Sequence, residues 1–299
     1  MSSAKVITFA IQKGGCTKTT SAACTAWLLA EKQKVLMVDL DAQGNLTEII
    51  TKKPLRWWRQ NADTNVMAAI KCGDPRPSIV EVNENLHLLP GSSEIGTLSR
   101  WLYTEYHEDN KVNLVSRMLD VIDSYYDWVI IDTPPALGDI MLNAIAASDG
   151  VIAMYKTGQF EYSALPEFFE TIEVVRKNFN SALQTIGILP VLIDLRRSCN
   201  KAFLQIIHNK YQQLVFPQVI KNNAATERLA YTGFVDNHEL SKVLAQYKPI
   251  VKEMVKRVNT AAISVGGFFW FTISIICGII VIKTEENHTL ASQANRCGS

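Results

Sequence analysis

Short runs of apolar residues alternate along the chain with longer stretches in which apolar residues recur at helical spacing. The short runs are rich in Val and Ile at consecutive positions, which is typical of strands covered on both faces. We predict strands at residues 5–11, 34–40, 86–89, 127–132, 150–155 and 185–193. We predict helices at residues 19–32, 112–123, 139–147, 164–179 and 201–211. Strands alternating with helices favour a parallel sheet joined by right-handed crossovers.

Length and composition narrow the class of protein. The chain has 299 residues, of which 47% are hydrophobic, and this is ample for a buried core. No repeat or low-complexity linker divides residues 1–257, so we predict one α/β domain there. The net charge of +1 excludes a histone-like basic protein, so any nucleic-acid surface must be local. The six cysteines form no C-x-x-C pair, which argues against a disulfide framework or a zinc site.

A glycine-containing segment lies directly between the first predicted strand and the first predicted helix. Its residues are Gln12, Lys13, Gly14, Gly15, Cys16, Thr17, Lys18, Thr19 and Thr20. A turn at a helix start directs backbone N–H groups and the positive end of the helix dipole at one point, which favours phosphate binding. Lys18 can reach the terminal phosphates of a nucleotide, and the Thr19 hydroxyl can ligate Mg²⁺. Thr17 stands where glycine is usual, so it must keep a negative φ or accept backbone strain.

Acidic residues follow two of the predicted strands. Asp39 and Asp41 lie at the end of the second strand, and Asp132 ends the strand at residues 127–132. Carboxylates at the carboxyl ends of parallel strands face the ligand crevice of an open α/β sheet. Asp132 therefore has the position of a carboxylate that holds Mg²⁺ through its water shell. The alternative for residues 39–45 is a polar turn that merely closes a strand.

These segments together resemble the ParA/MinD family of ATPases. Lys-Gly-Gly-x-x-Lys-Thr-Thr at residues 13–20 is similar to the deviant Walker A motif of that family. Residues 39–45 resemble its D-x-D-P-Q-G-N switch, with Ala42 in place of proline. Partition-ATPase patterns also match residues 132–135, 142–149 and 159–165. The resemblance implies an α/β P-loop NTPase fold, a mostly parallel twisted sheet with helices on both faces.

The resemblance also implies a role for each matching residue, with ATP and Mg²⁺ as cofactors. Nucleotide binding would fall to Lys13, Gly14, Gly15, Cys16, Thr17, Lys18, Thr19 and Thr20. Lys13 would contact nucleotide phosphate across a dimer interface, and Lys18 would do so within its own chain. Asp41 would position the attacking water, so the expected catalytic residues are Asp41, Lys13 and Lys18. Thr19, Asp132 and Asp39 would hold the metal or its water shell.

A partition function is the expectation that follows from the resemblance. ATP would drive formation of a homodimer that binds DNA non-specifically, and hydrolysis would segregate plasmid or chromosomal DNA. Turnover is expected to be slow and stimulated by a ParB-like centromere-binding partner, in the cytoplasm at the nucleoid. Two alternatives stay open: a MinD-like membrane-associated positioning ATPase, and an ATP-gated scaffold with little turnover.

Two basic segments are candidates for contact with nucleic acid. Residues 196–228 contain six basic residues and one acidic residue. The family's DNA-contacting arginine matches Arg196, and Lys221 or Arg228 would stand in for a later one; a solvated helix face is the alternative. Residues 52–59 combine four cations with two adjacent tryptophans. These could stack on bases, meet a membrane, hold a partner or lie half buried, and the sequence does not separate these roles.

The end of the chain differs from the rest. We assign residues 1–257 to the ATPase domain and residues 258–299 to an apolar tail. Residues 263–282 are 20 uncharged, mostly apolar positions, enough to cross a bilayer core of about 30 Å. Lysines before them and glutamates after them would keep the ATPase in the cytoplasm. A membrane-competent segment is the interpretation we favour over a buried hairpin or a C-terminus produced by a shifted reading frame.

Overall fold

The computed structural model describes residues 3–11, 17–60, 64–234 and 237–260. Its strands are β1 (Lys5–Ala10), β2 (Val35–Asp39), β3 (Val80–Asn83), β4 (Leu86–Leu89), β5 (Trp128–Asp132), β6 (Gly150–Lys156), β7 (Gln184–Ile193) and β8 (Ile220–Lys221). They form a single sheet in the order β3-β4-β2-β5-β1-β6-β7-β8. All neighbouring strands are parallel except β3 and β4, which are antiparallel. β1 therefore lies inside the sheet, between β5 and β6.

Helices cover both faces of this sheet. They are α1 (Lys18–Leu29), α2 (Asn45–Thr51), α3 (Leu55–Gln60), α4 (Val66–Cys72), α5 (Leu98–Thr104), α6 (Leu114–Asp120), α7 (Asp139–Ala146), α8 (Gln159–Asn178), α9 (Ser198–Tyr211), α10 (Ala224–Thr232) and α11 (Leu240–Thr260). One apolar core joins α1, α2, α10 and α11 to the sheet face that carries Ile7 and Phe9. Two further cores join the six helices from α4 through α9 to the opposite face of the sheet. The predicted α/β fold with helices on both faces is confirmed.

The sequence pattern missed one long helix, α11 with 21 residues, and several elements that are short or lie at the edges. Each of the six predicted strands lies within two residues of an observed one, because β1, β2, β5 and β6 are almost wholly buried and read as unbroken apolar runs. β3 alternates half-buried with exposed residues, and β8 has only two residues. The helices α2 to α5 have six or seven residues each, too few to show a helical period.

The last described residue, Thr260, lies three residues inside the predicted tail. α11 continues past the predicted domain boundary at residue 257 as far as Thr260. Residues 263–282, the predicted membrane segment, lie outside the described residues. Within the described part, none of the helices is long and apolar enough to cross a membrane. The division into an ATPase domain and an apolar tail therefore stays a prediction.

Arg257 ties the end of α11 to the sheet. Its guanidinium donates to the carbonyl oxygens of Ile186, Leu214 and Val215 at 3.1, 3.0 and 3.2 Å. A fourth bond joins its Nε to Glu253 at 2.9 Å, and the side chain is only 17% exposed. The planar fork of arginine satisfies several acceptors at once, which the single ammonium of lysine does not reproduce. This residue therefore fixes α11 against β7 and the segment before β8.

Replacing Arg257 with lysine is expected to lower the free energy of unfolding by about 2–3 kcal/mol, because buried carbonyls lose their donors. Urea denaturation of the full chain measures this change. Arg117→Lys is the matched control, since Arg117 makes an ion pair with Glu108 that is exposed to solvent and should contribute much less to stability. Equal losses in the two variants would contradict a special role for Arg257.

Candidate functional site

The carboxyl ends of β1, β2 and β5 meet at one place in the middle of the sheet. Asp39 at the end of β2 is the register partner of Asp132 at the end of β5, and Asp132 also pairs with Phe9 of β1. The backbone N–H of Leu40 donates to the Asp132 carbonyl at 3.0 Å, and the Thr133 hydroxyl donates to the Phe9 carbonyl at 2.8 Å. Strand pairing alone therefore places two carboxylates side by side.

Asp132 is a buried carboxylate without a hydrogen-bond partner. Its side chain is fully buried, and its two oxygens accept no close hydrogen bond from the described residues, although the Thr19 hydroxyl lies near enough to lower its pKa. Burial raises its pKa to about 8, the negative charge of Asp39 adds to the rise, and the nearby Thr19 and Lys18 side chains oppose it. A buried charge is costly unless a counter-charge accompanies it. Two orphaned carboxylate oxygens beside a threonine hydroxyl are a donor set that fits Mg²⁺.

Asp39 is buried as well, but its hydrogen bonds are satisfied. Its Oδ2 accepts from the backbone N–H of Thr47 at 2.9 Å and from the Thr47 hydroxyl at 2.6 Å. Its Oδ1 accepts from the N–H of Asp41 at 3.1 Å. Burial raises the pKa of Asp39 to about 6, and these hydrogen bonds limit the rise. Asp39 therefore anchors the start of α2 as well as facing Asp132.

Thr47 and Gly91 support Asp39, and the sequence reasoning did not identify either. The N–H of Gly91 donates to the Thr47 hydroxyl at 2.8 Å. A Cβ atom at residue 91 would lie 2.8 Å from the Asp39 carboxylate, so only glycine fits there. Gly91 is distant in sequence and reaches Asp39 through the topology of the sheet, so no motif spacing could have revealed it. Thr47 lies eight residues after Asp39, in the first turn of α2 and just outside the motif at residues 39–45.

Asp41 is less buried than the other two carboxylates and lies in a turn. Its Oδ1 accepts from the Gln43 N–H at 3.0 Å, and its carbonyl accepts from the Gly44 N–H at 2.9 Å. Gly44 has a φ of 63°, the left-handed conformation that glycine adopts without strain. This turn fixes the backbone of Asp41 two residues beyond Asp39. It leaves Oδ2 of Asp41 without a partner in the described part of the chain.

The start of α1 faces the two buried carboxylates. α1 begins at Lys18, whose side chain is 7% exposed, and its first turn contains no acidic residue. Thr19 and Thr20 lie in this turn, and their neighbour Thr17 precedes the helix. Lys13, Gly14, Gly15 and Cys16 lie outside the described residues. The described half of the predicted phosphate loop thus combines a helix N-terminus, a buried lysine and two threonines.

Thr17 adopts the strained of the two conformations that its sequence position allowed. Its φ is 53° and its ψ is 26°, in the left-handed region that β-branched residues disfavour. Its hydroxyl is buried and has no hydrogen-bond partner among the described residues. Its carbonyl accepts from the Ser21 N–H at 2.9 Å, which is the first bond of α1. The chain therefore keeps a glycine-type backbone here at a cost in stability.

The sequence of the chain is similar to those of known proteins. The family model for the AAA domain matches residues 4–185. The sporulation initiation inhibitor protein Soj of Bacillus subtilis is 28% identical over 228 residues, 73% of this chain and 85% of its own. The chromosome-partitioning ATPase Soj of Thermus thermophilus is 29% identical over 259 residues, 85% of this chain and 97% of its own. The chain belongs to the ParA/Soj-type partition ATPases.

A solved structure agrees with membership of the ParA/Soj-type family at the level of the fold. Cobyrinic acid a,c-diamide synthase from Mycobacterium smegmatis, with bound ADP and magnesium, superposes with a TM-score of 0.72 at 26% identity. The match covers 86% of this chain and 96% of that one. The family resemblance expected from the motifs is confirmed, and so is the P-loop NTPase fold. The individual site residues stay predictions.

The three residues predicted to bind DNA in this ParA/Soj-type chain follow one another along the sequence: Arg196 lies after β7, Lys221 ends β8, and Arg228 lies in α10. Arg196 is 92% exposed and donates to both carboxylate oxygens of Asp194, at 2.9 and 3.0 Å. These bonds lower the pKa of Asp194 to about 2. Arg228 donates to both oxygens of Glu239, each at 2.8 Å. Lys221 is exposed and has no ion pair within the described residues.

Replacing Thr17 with glycine is expected to raise the free energy of unfolding of the nucleotide-free protein by about 1 kcal/mol. Glycine relieves the left-handed strain and removes the buried hydroxyl, and this outweighs its larger chain entropy. Thr17→Ala is the control, because it removes the hydroxyl but keeps a Cβ at positive φ, so its gain should be smaller. Thermal unfolding in EDTA measures both variants, and a glycine variant less stable than the natural chain would contradict the strain.

Replacing Asp132 with asparagine is expected to stabilise the metal-free protein by about 1–3 kcal/mol at pH 8 and above, because it removes a buried unpaired charge. The raised pKa of Asp132 means that the folded natural chain holds a proton that the unfolded chain has released. The natural protein should therefore lose stability as the pH rises from about 4 to about 8, and the advantage of asparagine should grow. Urea denaturation in EDTA across this range measures the difference, and parallel curves for the two proteins would contradict the assignment.

Proposed function

We propose that this chain is a ParA-like partition ATPase, which forms a homodimer on binding ATP, binds DNA non-specifically and hydrolyses ATP to segregate plasmid or chromosomal DNA. The observation that carries the proposal is the buried, unpaired Asp132 beside Asp39 at the start of α1. Membership of the ParA/Soj-type family supports it, since relatives include a chromosome-partitioning ATPase. The site of action would be the nucleoid in the cytoplasm.

The nucleotide would bind with its phosphates at the N-terminus of α1. Backbone N–H groups there and the Lys18 ammonium would neutralise phosphate charge, and Lys13 would add a second cation from the partner subunit. Asp132, Thr19 and Asp39 would hold Mg²⁺ or its waters, and the metal would supply charge neutralisation at the phosphates. The hydrogen bond from the Thr47 hydroxyl to Asp39 would keep the Asp39 carboxylate oriented towards the proposed metal site.

Asp41 would orient the water that attacks the terminal phosphate. Its backbone is fixed by the Gly44 turn, and one of its carboxylate oxygens lacks a protein partner in the described part of the chain. Phosphoryl transfer depends mainly on positioning and on charge neutralisation, so a single oriented carboxylate is a sufficient contribution. Slow turnover and stimulation by a ParB-like partner are part of the proposal.

The decisive experiment measures ATPase rate and DNA co-sedimentation of the full chain with ATP and with ADP. We expect DNA binding with ATP and little with ADP, since partition requires the two states to differ in DNA affinity. Asp41→Ala should lower the ATPase rate at least tenfold and keep ATP-dependent DNA binding. Asp109→Ala, which removes an exposed carboxylate far along the chain, is the matched control. DNA binding that ignores the nucleotide would refute the partition mechanism, and an unchanged rate in Asp41→Ala would refute the role of Asp41.

A further inference from the structure

We propose that Lys52, Lys53 and Arg56, here called the α2–α3 basic surface, contact the phosphates of duplex DNA as a second part of the DNA-binding face. The inference rests on the proposed partition function and adds to it a binding surface and its partner. All three side chains are exposed at the junction of α2 and α3. None of them takes part in an ion pair within the described residues.

The first reason is the state of the other candidate cations. Arg196 and Arg228 are each held by two hydrogen bonds to a carboxylate of their own chain. A neutralised arginine gains less from a phosphate, because it must first leave its carboxylate. Of the three predicted DNA-binding residues, Lys221 is then the one without an ion pair within the described residues. Non-specific DNA affinity depends on the number of phosphates neutralised, so a surface with three more unpaired cations is the natural complement.

The second reason is the arrangement of the two tryptophans. Trp58 is 1% exposed and anchors α3, and its ring meets that of Trp57 edge-on at a centroid distance of 4.5 Å. The Lys53 ammonium lies 3.9 Å from the centroid of the Trp57 ring and 5.7 Å from that of Trp58. Trp58 is thus buried, and the ring of Trp57, which is 36% exposed, carries the Lys53 ammonium over its face. Charge is what this surface presents, which favours phosphate over base stacking or insertion into a membrane.

The third reason is continuity with α10. A Cβ atom at Gly233, which ends α10, would lie 3.0 Å from Cε of Lys52 and 2.8 Å from the Ile49 carbonyl. Gly233 has a φ of 68°, so glycine suits both the conformation and the close approach. Arg228 and Tyr231, which is 90% exposed, lie three residues apart on α10 and so share a face. The α2–α3 basic surface therefore adjoins the helix that carries Arg228.

The nearest acidic side chain does not neutralise this surface. Glu48 on α2 accepts the N–H of Leu55 at 2.6 Å through its Oε1, so its carboxylate caps the start of α3. The turn before α3 depends on Lys52 itself, which ends α2 with a φ of 56°. The local fold thus uses the carboxylate internally and leaves the three cations to solvent. A local positive field in a chain of net charge +1 is what non-specific DNA binding requires.

The test compares K52A/K53A/R56A with the natural full chain in ATP, by DNA binding at a series of salt concentrations. Loss of three phosphate contacts should reduce the slope of log affinity against log salt by about 2 to 3. Affinity at low salt should fall at least tenfold. K32A/K34A/K177A removes the same charge from exposed lysines at the opposite edge of the sheet and should leave the slope unchanged. K52R/K53R/R56K keeps the charge and should restore binding, and thermal unfolding checks that each variant folds.

The outcomes separate the two proposals. If the natural chain binds DNA with ATP and K52A/K53A/R56A binds it equally well with the same slope, the α2–α3 surface is wrong and the partition function stands. If the natural chain fails to bind DNA in either nucleotide, both proposals fall. Vesicles containing phosphatidylserine provide the remaining comparison. A triple variant that loses vesicle binding but keeps DNA binding would make this surface a membrane contact and overturn the proposal.

Discussion

Two carboxylates buried side by side at the centre of a parallel sheet are the constraint on which the rest of this structure depends. The register of β2 against β5 brings Asp39 and Asp132 together, and neither strand contains a basic residue. Such a pair is unfavourable by itself, because burial and like charge both oppose ionisation. The surrounding residues provide hydrogen bonds to one carboxylate and not to the other. They satisfy Asp39 through Thr47 and Asp41, and they leave Asp132 open towards the start of α1.

A second unfavourable feature of this site lies one residue before α1. Thr17 takes a left-handed backbone and buries its hydroxyl without a partner, although both features reduce stability. Local rules of sequence and structure are commonly broken where a ligand supplies what the empty protein lacks. The strained residue, the buried Lys18 and the open Asp132 lie around a single point. Their combination explains why the chain keeps a glycine-type conformation where glycine itself is missing.

Much of the fold could be predicted because the central strands are buried on both sides and therefore read as continuous apolar runs. The strand-end positions of Asp39 and Asp132 followed from the same pattern. Gly91 could not be predicted, since it reaches Asp39 only after the sheet has formed, whereas Thr47 is local but lies just outside the motif at residues 39–45. The edge strand β3 and the short helices could not be predicted from the sequence for a related reason. Their few residues carry no period of their own and are held by neighbours distant in sequence.

The basic residues show a different limit of sequence reasoning. Counting cations along residues 196–228 treats each as equally available, whereas Arg196 and Arg228 are already bound to Asp194 and Glu239. The availability of a cation is a property of its neighbours in space, and it decides how much a phosphate can gain from it. The same reasoning makes residues 52–59 a candidate phosphate-binding surface. The Trp57 ring holds the Lys53 ammonium there, and the one carboxylate on α2 caps α3. A nearly neutral chain can thus present a positive surface through the placement of its acids rather than through an excess of bases.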